Sequence, residues 1–469
     1  MKIILLVPDG VGVRNYLYSN FTSNLIHAGN DVLIYHKLSE SAIQEIKKSK
    51  PEIDNFEVIP DFIENLKARL LRETLAYTRL LRNEKKLNNS TILKFWNPSK
   101  RGLKKRILYF LAEFLGFILS KSYSLIKKGD YLFEKELSKS STIELIKNTL
   151  LDFKPDFILN LHQRSPLTSP IVSVAKKLQI ITATVIFSWD NVPKARLISR
   201  YDYYYVWSEL MKNQLIQLYP EILSSQIQIT GTPQFEFYGD DNLYEERKIF
   251  LDTYGLDENK KIICFSGNDL SSPYDAVYLN DICEELVKLD ENSRPQILFR
   301  RCPVDLSDRF DTTLSKYKEF VFSIDPDWKT GKEVADSFST IYPTTNDNKL
   351  LVNTVKHSDL VINLGSTMAH DFAILDKPCL YLNYDPVDKS KFKVKDVFNF
   401  EHFRSMDNLE AVGWINAKNE ISSKIIEALT IPEKVGKERK EWLKRIVLHP
   451  IGENSNKLIE KILECISVS

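Results

Sequence analysis

The sequence predicts an α/β protein of two consecutive domains, each a parallel sheet wrapped by helices, with a helical insertion in the first. Three observations carry this. The 469 residues amount to about three usual domains. Short apolar runs alternate with helical periodicity at both ends of the chain, the pattern of parallel sheets. A polar, charged stretch at 238–248 (YGDDNLYEERK) separates two such series, so the boundary falls near 238–258.

The first domain, 1–240, opens with MKIILLV. This short apolar run meets Pro8-Asp9-Gly10 without a small-residue cleavage site, which reads as a first strand at 2–7 rather than a signal peptide. Further strands are expected at 31–35, 56–59, 156–161, 180–187, 202–206 and 226–230, with helices near 13–28, 168–178 and 208–218. The second domain, 255–430, restarts with a strand at 261–267, followed by strands at 296–300, 319–323, 359–364 and 379–383. Helices near 433–446 and 455–467 make up a C-terminal segment, 431–469.

Charge is balanced, 64 Lys and Arg against 63 Asp and Glu, so no nucleic-acid partner is expected. The cysteines Cys264, Cys283, Cys302, Cys379 and Cys465 form no CxxC pair, which suggests reduced thiols in a cytoplasmic protein and no structural zinc. No run of 18 apolar residues occurs, so the chain should not span a membrane. The insertion, 62–150, is helical by pattern and basic in its middle. From Lys100 to Lys128 it carries eight Lys or Arg and one acid, Glu113, a local balance of +7. ILYFLAEFLGFIL (107–119) lies between those charges, with Phe110, Phe114 and Phe117 at helical spacing. Such a helix suits the surface of an anionic membrane, with Trp96, Tyr109 and Tyr123 as further anchors, or equally a core helix with a solvated basic end.

The stretch 361–385 (VINLGSTMAHDFAILDKPCLYLNYD) is the most informative. Leu360 to Leu364 reads as a buried strand, Gly365 permits a tight turn, and Ser366 or Thr367 can cap the helix that follows. Free N–H groups there favour a phosphate, and Asp371, about one turn on, is in reach of ribose hydroxyls. The same pattern also suits a plain turn and cap.

This layout resembles the GT-B architecture of nucleotide-sugar glycosyltransferases, two Rossmann-like domains facing a cleft. The segment GSTMAHDFAILDKPCLYLNYD is similar to the nucleotide-binding signature of bacterial surface-polysaccharide glycosyltransferases and of CDP-glycerol glycerophosphotransferases. Ser366, Asp371, Lys377, Pro378 and Asp385 stand in matching places. FSWDNVPKARL (187–197) stands where the glycerophosphotransferases carry Trp-His-Gly-Thr-Pro-x-Lys, but Asp190 replaces the histidine. Arg300-Arg301-Cys302-Pro303 likewise lacks the histidine of their Arg-Pro-His-Pro, which argues against glycerophosphate transfer. Ser-Trp-Asp-Asn, with the later Asn353 to Asp359 motif, looks like sugar transferases of capsule and O-antigen loci.

The resemblance implies a metal-independent, inverting glycosyltransferase of lipopolysaccharide, O-antigen or capsule synthesis, cytoplasmic or peripheral on the inner membrane face. Its partners would be a nucleotide-sugar donor as substrate, with no cofactor, and a cell-surface glycan or lipid-linked acceptor, with 100–128 available to an anionic membrane. The alternatives are a nucleotide-sugar epimerase of the same architecture, a CDP-glycerol-type transferase, or a catalytically dead nucleotide-binding module.

Sugar transfer needs a base for the acceptor hydroxyl and positive charge for the leaving diphosphate. Asp190 is the first candidate base and His162 the second, since each follows a strand at the sheet edge where open α/β folds bind ligands. A simple turn at Asp190-Asn191 and a spectator role for His162 remain open. Arg300 suits the diphosphate, with Arg301 turned to the other side, and Gly267-Asn268 is a further turn on the donor side. Gly12, Arg14 and Asn15 in the first loop, with Asn191 and Lys194, make up the acceptor side. Asp347 is expected to cap its helix through His357. No DxD motif or paired ligand set presents itself, and His370 beside Asp371 lacks metal spacing, so no catalytic metal is expected.

Overall fold

The computed structural model describes residues 1–99, 101–330, 341–387 and 392–467; Lys100 of the basic segment lies outside them. The chain divides into two compact units. Met1–Pro233, Phe400–His402 and Ile446–Ser469 form the first, and Gln234–Asn399 with Phe403–Arg445 the second.

The first unit is built on β1 (Lys2–Val7), β2 (Asp31–His36), β3 (Phe56–Val58), β4 (Phe157–Asn160), β5 (Ile181–Val185), β6 (Tyr203–Val206) and β7 (Ile227–Ile229). They pair in the order β3-β2-β1-β4-β5-β6-β7, all parallel, with Leu6 of β1 level with Tyr35 on one side and Asn160 on the other. Strands covered by helices on both faces must be apolar throughout, which is why KIILLV and FILN lack polar alternation. Ile4, Leu6, Leu33, Tyr35 and Ile158 form a core with Ile171 and Val174 of the helix Ser169–Lys177. The expected helix at 13–28 is broken: a wide π-type turn, Val13–Tyr18, gives way at an extended Ser19, whose hydroxyl caps the helix Asn20–His27 by accepting from the Phe21 N–H at 3.3 Å.

The insertion folds as the helices Leu66–Leu87, Leu103–Leu119, Tyr123–Leu137 and Ile143–Phe153. Buried Arg79 ties two of these helices together by donating to Asp130 at 2.7 Å and joins them to the loop before β7 by donating to Glu221 at 3.1 Å, while Arg200 donates to Glu221 at 2.7 Å. Each guanidinium is thus neutralised by acids that both arginines share, as a buried charge requires. The C-terminal helix Asn454–Ser467 belongs with this unit. Its Leu458 and Ile462 are buried, and Asn454 donates to the Thr232 carbonyl at 3.2 Å. Gly231, at φ +71°, would put a Cβ within 2.4 Å of the Asn454 side chain, so only glycine fits there.

The second unit contains β8 (Ile262–Ser266), β9 (Gln296–Arg300), β10 (Val321–Ile324), β11 (Trp328–Thr330), β12 (Ile341–Pro343), β13 (Leu360–Asn363), β14 (Cys379–Leu382) and β15 (Gly413–Ile415). Six of them form a parallel sheet, β10-β9-β8-β13-β14-β15, and β11 pairs antiparallel with β12. Among the described residues no helix is long and apolar enough to cross a membrane.

Candidate functional site

Strand order reverses between β1 and β4 in the first sheet and between β8 and β13 in the second. At such a point the loops leaving adjacent strands diverge to opposite faces and open a crevice beyond the strand ends. Each unit brings part of the expected site to its own switch point.

In the first unit the loops after β1 and β4 join Asp9 to His162, with Asp9 Oδ2 2.8 Å from His162 Nδ1. The other Asp9 oxygen accepts the Val11 N–H at 3.1 Å, and the His162 N–H donates to Asn160 Oδ1 at 3.2 Å, so both residues are pinned by their own loops. The carboxylate fixes the ring's tautomer and leaves Nε2 for proton transfer. Asp9 was missed in the sequence, although Pro8-Asp9-Gly10 was recognised as the end of the first strand. Arg164, exposed and two residues beyond His162, lies in the electrostatic reach of Asp9 and Asp190 and was also missed.

Asp190 follows β5 but is not an open base. It accepts from Asn191 Nδ2 at 2.7 Å and forms an ion pair with Lys194. Burial pushes its pKa up, but Lys194 and His402 outweigh this and hold it far under the usual carboxylate range. A carboxylate held so acidic is a poor proton acceptor. The acceptor-side residues Asn191 and Lys194 are therefore engaged with Asp190, and Asn191 Oδ1 also accepts from Gln163 Nε2 at 3.1 Å. Of the first loop, Gly12 abuts Leu161, whose Cβ would lie 3.1 Å from any side chain there, and Asn15 is buried and accepts from Arg14 Nε at 3.3 Å. Asn15 thus faces the interior and not a cleft. The segment Phe400–His402 closes this region from far along the chain: Phe400 stacks on Phe95 at 5.1 Å, and His402 meets Trp189 edge-on at 4.6 Å. Nothing in the local sequence signals that contact.

In the second unit Gly267 and Asn268 follow β8, and Gly365, Ser366 and Thr367 follow β13. Asn268 Nδ2 donates to the Leu364 carbonyl at 3.1 Å, joining the two loops. Gly365 has φ +71°, and a Cβ would stand 2.8 Å from Phe403 and 3.3 Å from Val397. The Ser366 N–H donates to Asn363 Oδ1 at 2.8 Å, whereas Thr367, at the start of the short helix Met368–Ile374, caps nothing with its side chain. Asp371, expected to reach ribose hydroxyls, is buried and accepts from the Tyr238 hydroxyl at 2.8 Å.

Arg300 is buried too. Its Nη2 donates to Asp347 at 2.8 Å, and Asp347 also accepts from Trp328 Nε1 at 2.7 Å and the Asp327 N–H at 3.0 Å. Asp347 therefore anchors Arg300 instead of capping its helix through His357. Arg301 turns away, as expected, over the rings of Phe299 and Phe310.

Several motif residues prove to be scaffold. Lys377 donates to the carbonyls of Val355, Lys356 and Ser358, closing the end of the helix Thr345–His357. Asn353 donates to the Leu243 carbonyl at 2.7 Å and accepts the Glu245 N–H at 2.8 Å, while His357 Nε2 meets the Glu245 carbonyl at 3.1 Å. Asp359 accepts the Ile262 N–H at 2.8 Å, and Asp385 the Val394 N–H at 2.8 Å.

No protein-family model matches the chain, and no curated protein is detectably similar in sequence. Solved structures are similar in fold. UDP-GlcNAc 2-epimerase from Neisseria meningitidis, crystallised with UDP-GlcNAc, aligns at 11% identity and TM-score 0.52 over 99% of this chain and 100% of its own. The Methanocaldococcus jannaschii UDP-GlcNAc 2-epimerase aligns at 12% identity and TM-score 0.52 over 100% of both chains. A glycosyltransferase from Rickettsia africae aligns at 12% identity and TM-score 0.53 over 99% of this chain and 97% of its own. The fold is GT-B. The glycosyltransferase expectation is corrected by these matches, because the architecture on which it rested is that of UDP-GlcNAc 2-epimerases, which recur among the similar structures.

Proposed function

We propose that this chain is a nucleotide-sugar epimerase, inverting a carbon of a UDP-linked amino sugar. The observation that carries the reading is the fold shared end to end with UDP-GlcNAc 2-epimerases. Inverting a carbon that bears hydrogen takes a proton from one face and returns one to the other, so the site needs acid–base groups held in place. The His162–Asp9 pair supports that chemistry, since its geometry keeps Nε2 ready to accept or donate. In the second unit the loop Gly365-Ser366-Thr367, with Gly267 and Asn268, is the proposed seat of the nucleotide diphosphate. There, Gly365 lets backbone approach ligand and the Thr367 side chain is not spent on a cap. Asp190 and Lys194 act in this reading as a fixed ion pair shaping the first loop cluster.

The test is proton NMR of the purified protein with UDP-GlcNAc in heavy water. An epimerase builds up a second sugar with deuterium at the inverted carbon and approaches an equilibrium mixture without steady release of UDP. Stoichiometric release of UDP with no isomer, or no turnover across a panel of nucleotide sugars, overturns the reading.

A further inference from the structure

We propose that the outer face of the helix Leu103–Leu119 seats on an anionic lipid surface. The helix is held on its inner side, where Leu108, Ala112 and Gly116 are buried. A Cβ on Gly116 would come within 2.8 Å of Tyr77 and 3.3 Å of the Thr74 carbonyl, both on the helix Leu66–Leu87. That close approach fixes the rotation of the helix. The opposite stripe, at helical spacing, is left in solvent: Leu103 is 72% exposed, Ile107 51%, Phe110 65%, Phe114 57% and Phe117 57%. Large aromatic and aliphatic side chains in one continuous stripe mark an interaction surface, not ordinary scattered exposure.

Charge identifies the occupant. Lys104, Lys105 and Arg106 form the first turn of the helix, Lys121 follows its end, and Lys127 and Lys128 lie on the next helix, all exposed. The single acid, Glu113, is turned inward and accepts from Trp96 Nε1 at 2.9 Å. A second copy packed here about a two-fold axis would set this basic rim against itself, whereas an anionic lipid surface complements it. The helix is too short and too charged to cross a bilayer, so it lies flat with the phenylalanines at the acyl boundary. Three expected anchors do not take part: Trp96 is held by Glu113, Tyr109 is buried, and Tyr123 bonds Arg79 at 3.0 Å and Glu221.

The test is sedimentation of the full chain with vesicles of phosphatidylcholine alone or doped with phosphatidylserine. The wild type should bind the doped vesicles at low salt, release in high salt, and ignore neutral ones. Lys104→Glu with Lys105→Glu and Arg106→Glu should lower partitioning by about a hundredfold, and Phe114→Ser with Phe117→Ser by about tenfold. All five positions are exposed, so circular dichroism and melting should match the wild type. Equal binding by both variants, equal binding to neutral vesicles, or no sedimentation of the wild type overturns the proposal. In the last case, concentration-dependent dimerisation abolished by Phe114→Ser would give the face to a second copy.

Discussion

Asp9 and His162 stand 2.8 Å apart although 153 residues separate them, because β1 and β4 are neighbours and each residue sits two positions past its strand's end. Asp9→Asn keeps the size of the side chain but, with its oxygen held by the Val11 N–H, sets an amide donor where a carboxylate acceptor faced His162 Nδ1, which disturbs the histidine tautomer. Epimerisation should slow by about 10- to 100-fold in kcat with KM little changed, and His162→Asn should cost more, about 10²- to 10⁴-fold. If both variants keep near-normal kcat, the pair only braces the loops.

Asp190 and Lys194 give the opposite expectation, one of stability. Asp190→Asn leaves a mostly buried ammonium without its counter-charge and should destabilise the fold by about 1–3 kcal/mol, read from denaturant unfolding at neutral pH. The folded carboxylate is more acidic than the unfolded one, so its contribution is present above about pH 4 and lost as pH falls through the folded value. The gap between wild type and variant should therefore shrink only in strong acid.

The two sheets were legible because a strand covered on both faces has to be apolar throughout, whereas the polar stretch 238–248 lies inside the second unit, which begins a few residues earlier at Gln234. The three-residue strands β11, β12 and β15 were not read from the sequence, although β3 and β7, equally short, were. Loop chemistry was partly visible: Gly365 announced its left-handed turn, and His162 its strand end. Partnership was not. Arg300 reads as a phosphate ligand until Asp347 is found against it, and Asp190 as a base until Lys194 closes on it, since ion pairing depends on where a loop folds and not on the residue type. Likewise His402 reaches the first unit by way of a three-residue excursion that no local pattern encodes.

Mild acid should weaken the protein through its buried histidines. Burial lowers His36, His357 and His402 from an ordinary value of 6.5 to about 4, and His36 Nδ1 is committed as an acceptor for the Leu38 N–H at 3.0 Å. The unfolded chain takes up these protons first. Stability held by the neutral rings is thus fully present above about pH 6.5 and lost as pH falls through about 4. Melting temperatures across that window should drop steeply in the wild type and less so in His357→Gln, which keeps a donor for the Glu245 carbonyl without a titrating group. A flat profile between pH 6.5 and 4 would show that these rings are protonated in the fold.

Gly365 is the residue through which the nucleotide reading is most exposed to test. At φ +71° any L side chain costs about 1–2 kcal/mol in backbone strain. Its Cβ would also press on Phe403 at 2.8 Å, so the loop must shift by some tenths of an ångström. Gly365→Ala should accordingly lower the melting temperature and weaken UDP binding together. Thr367→Ala removes a hydroxyl that makes no capping bond, so it should leave melting unchanged and weaken UDP by about tenfold. Calorimetry on the two variants separates fold from ligand: Thr367→Ala with unchanged affinity would move the diphosphate away from this loop, whatever Gly365→Ala does to the fold.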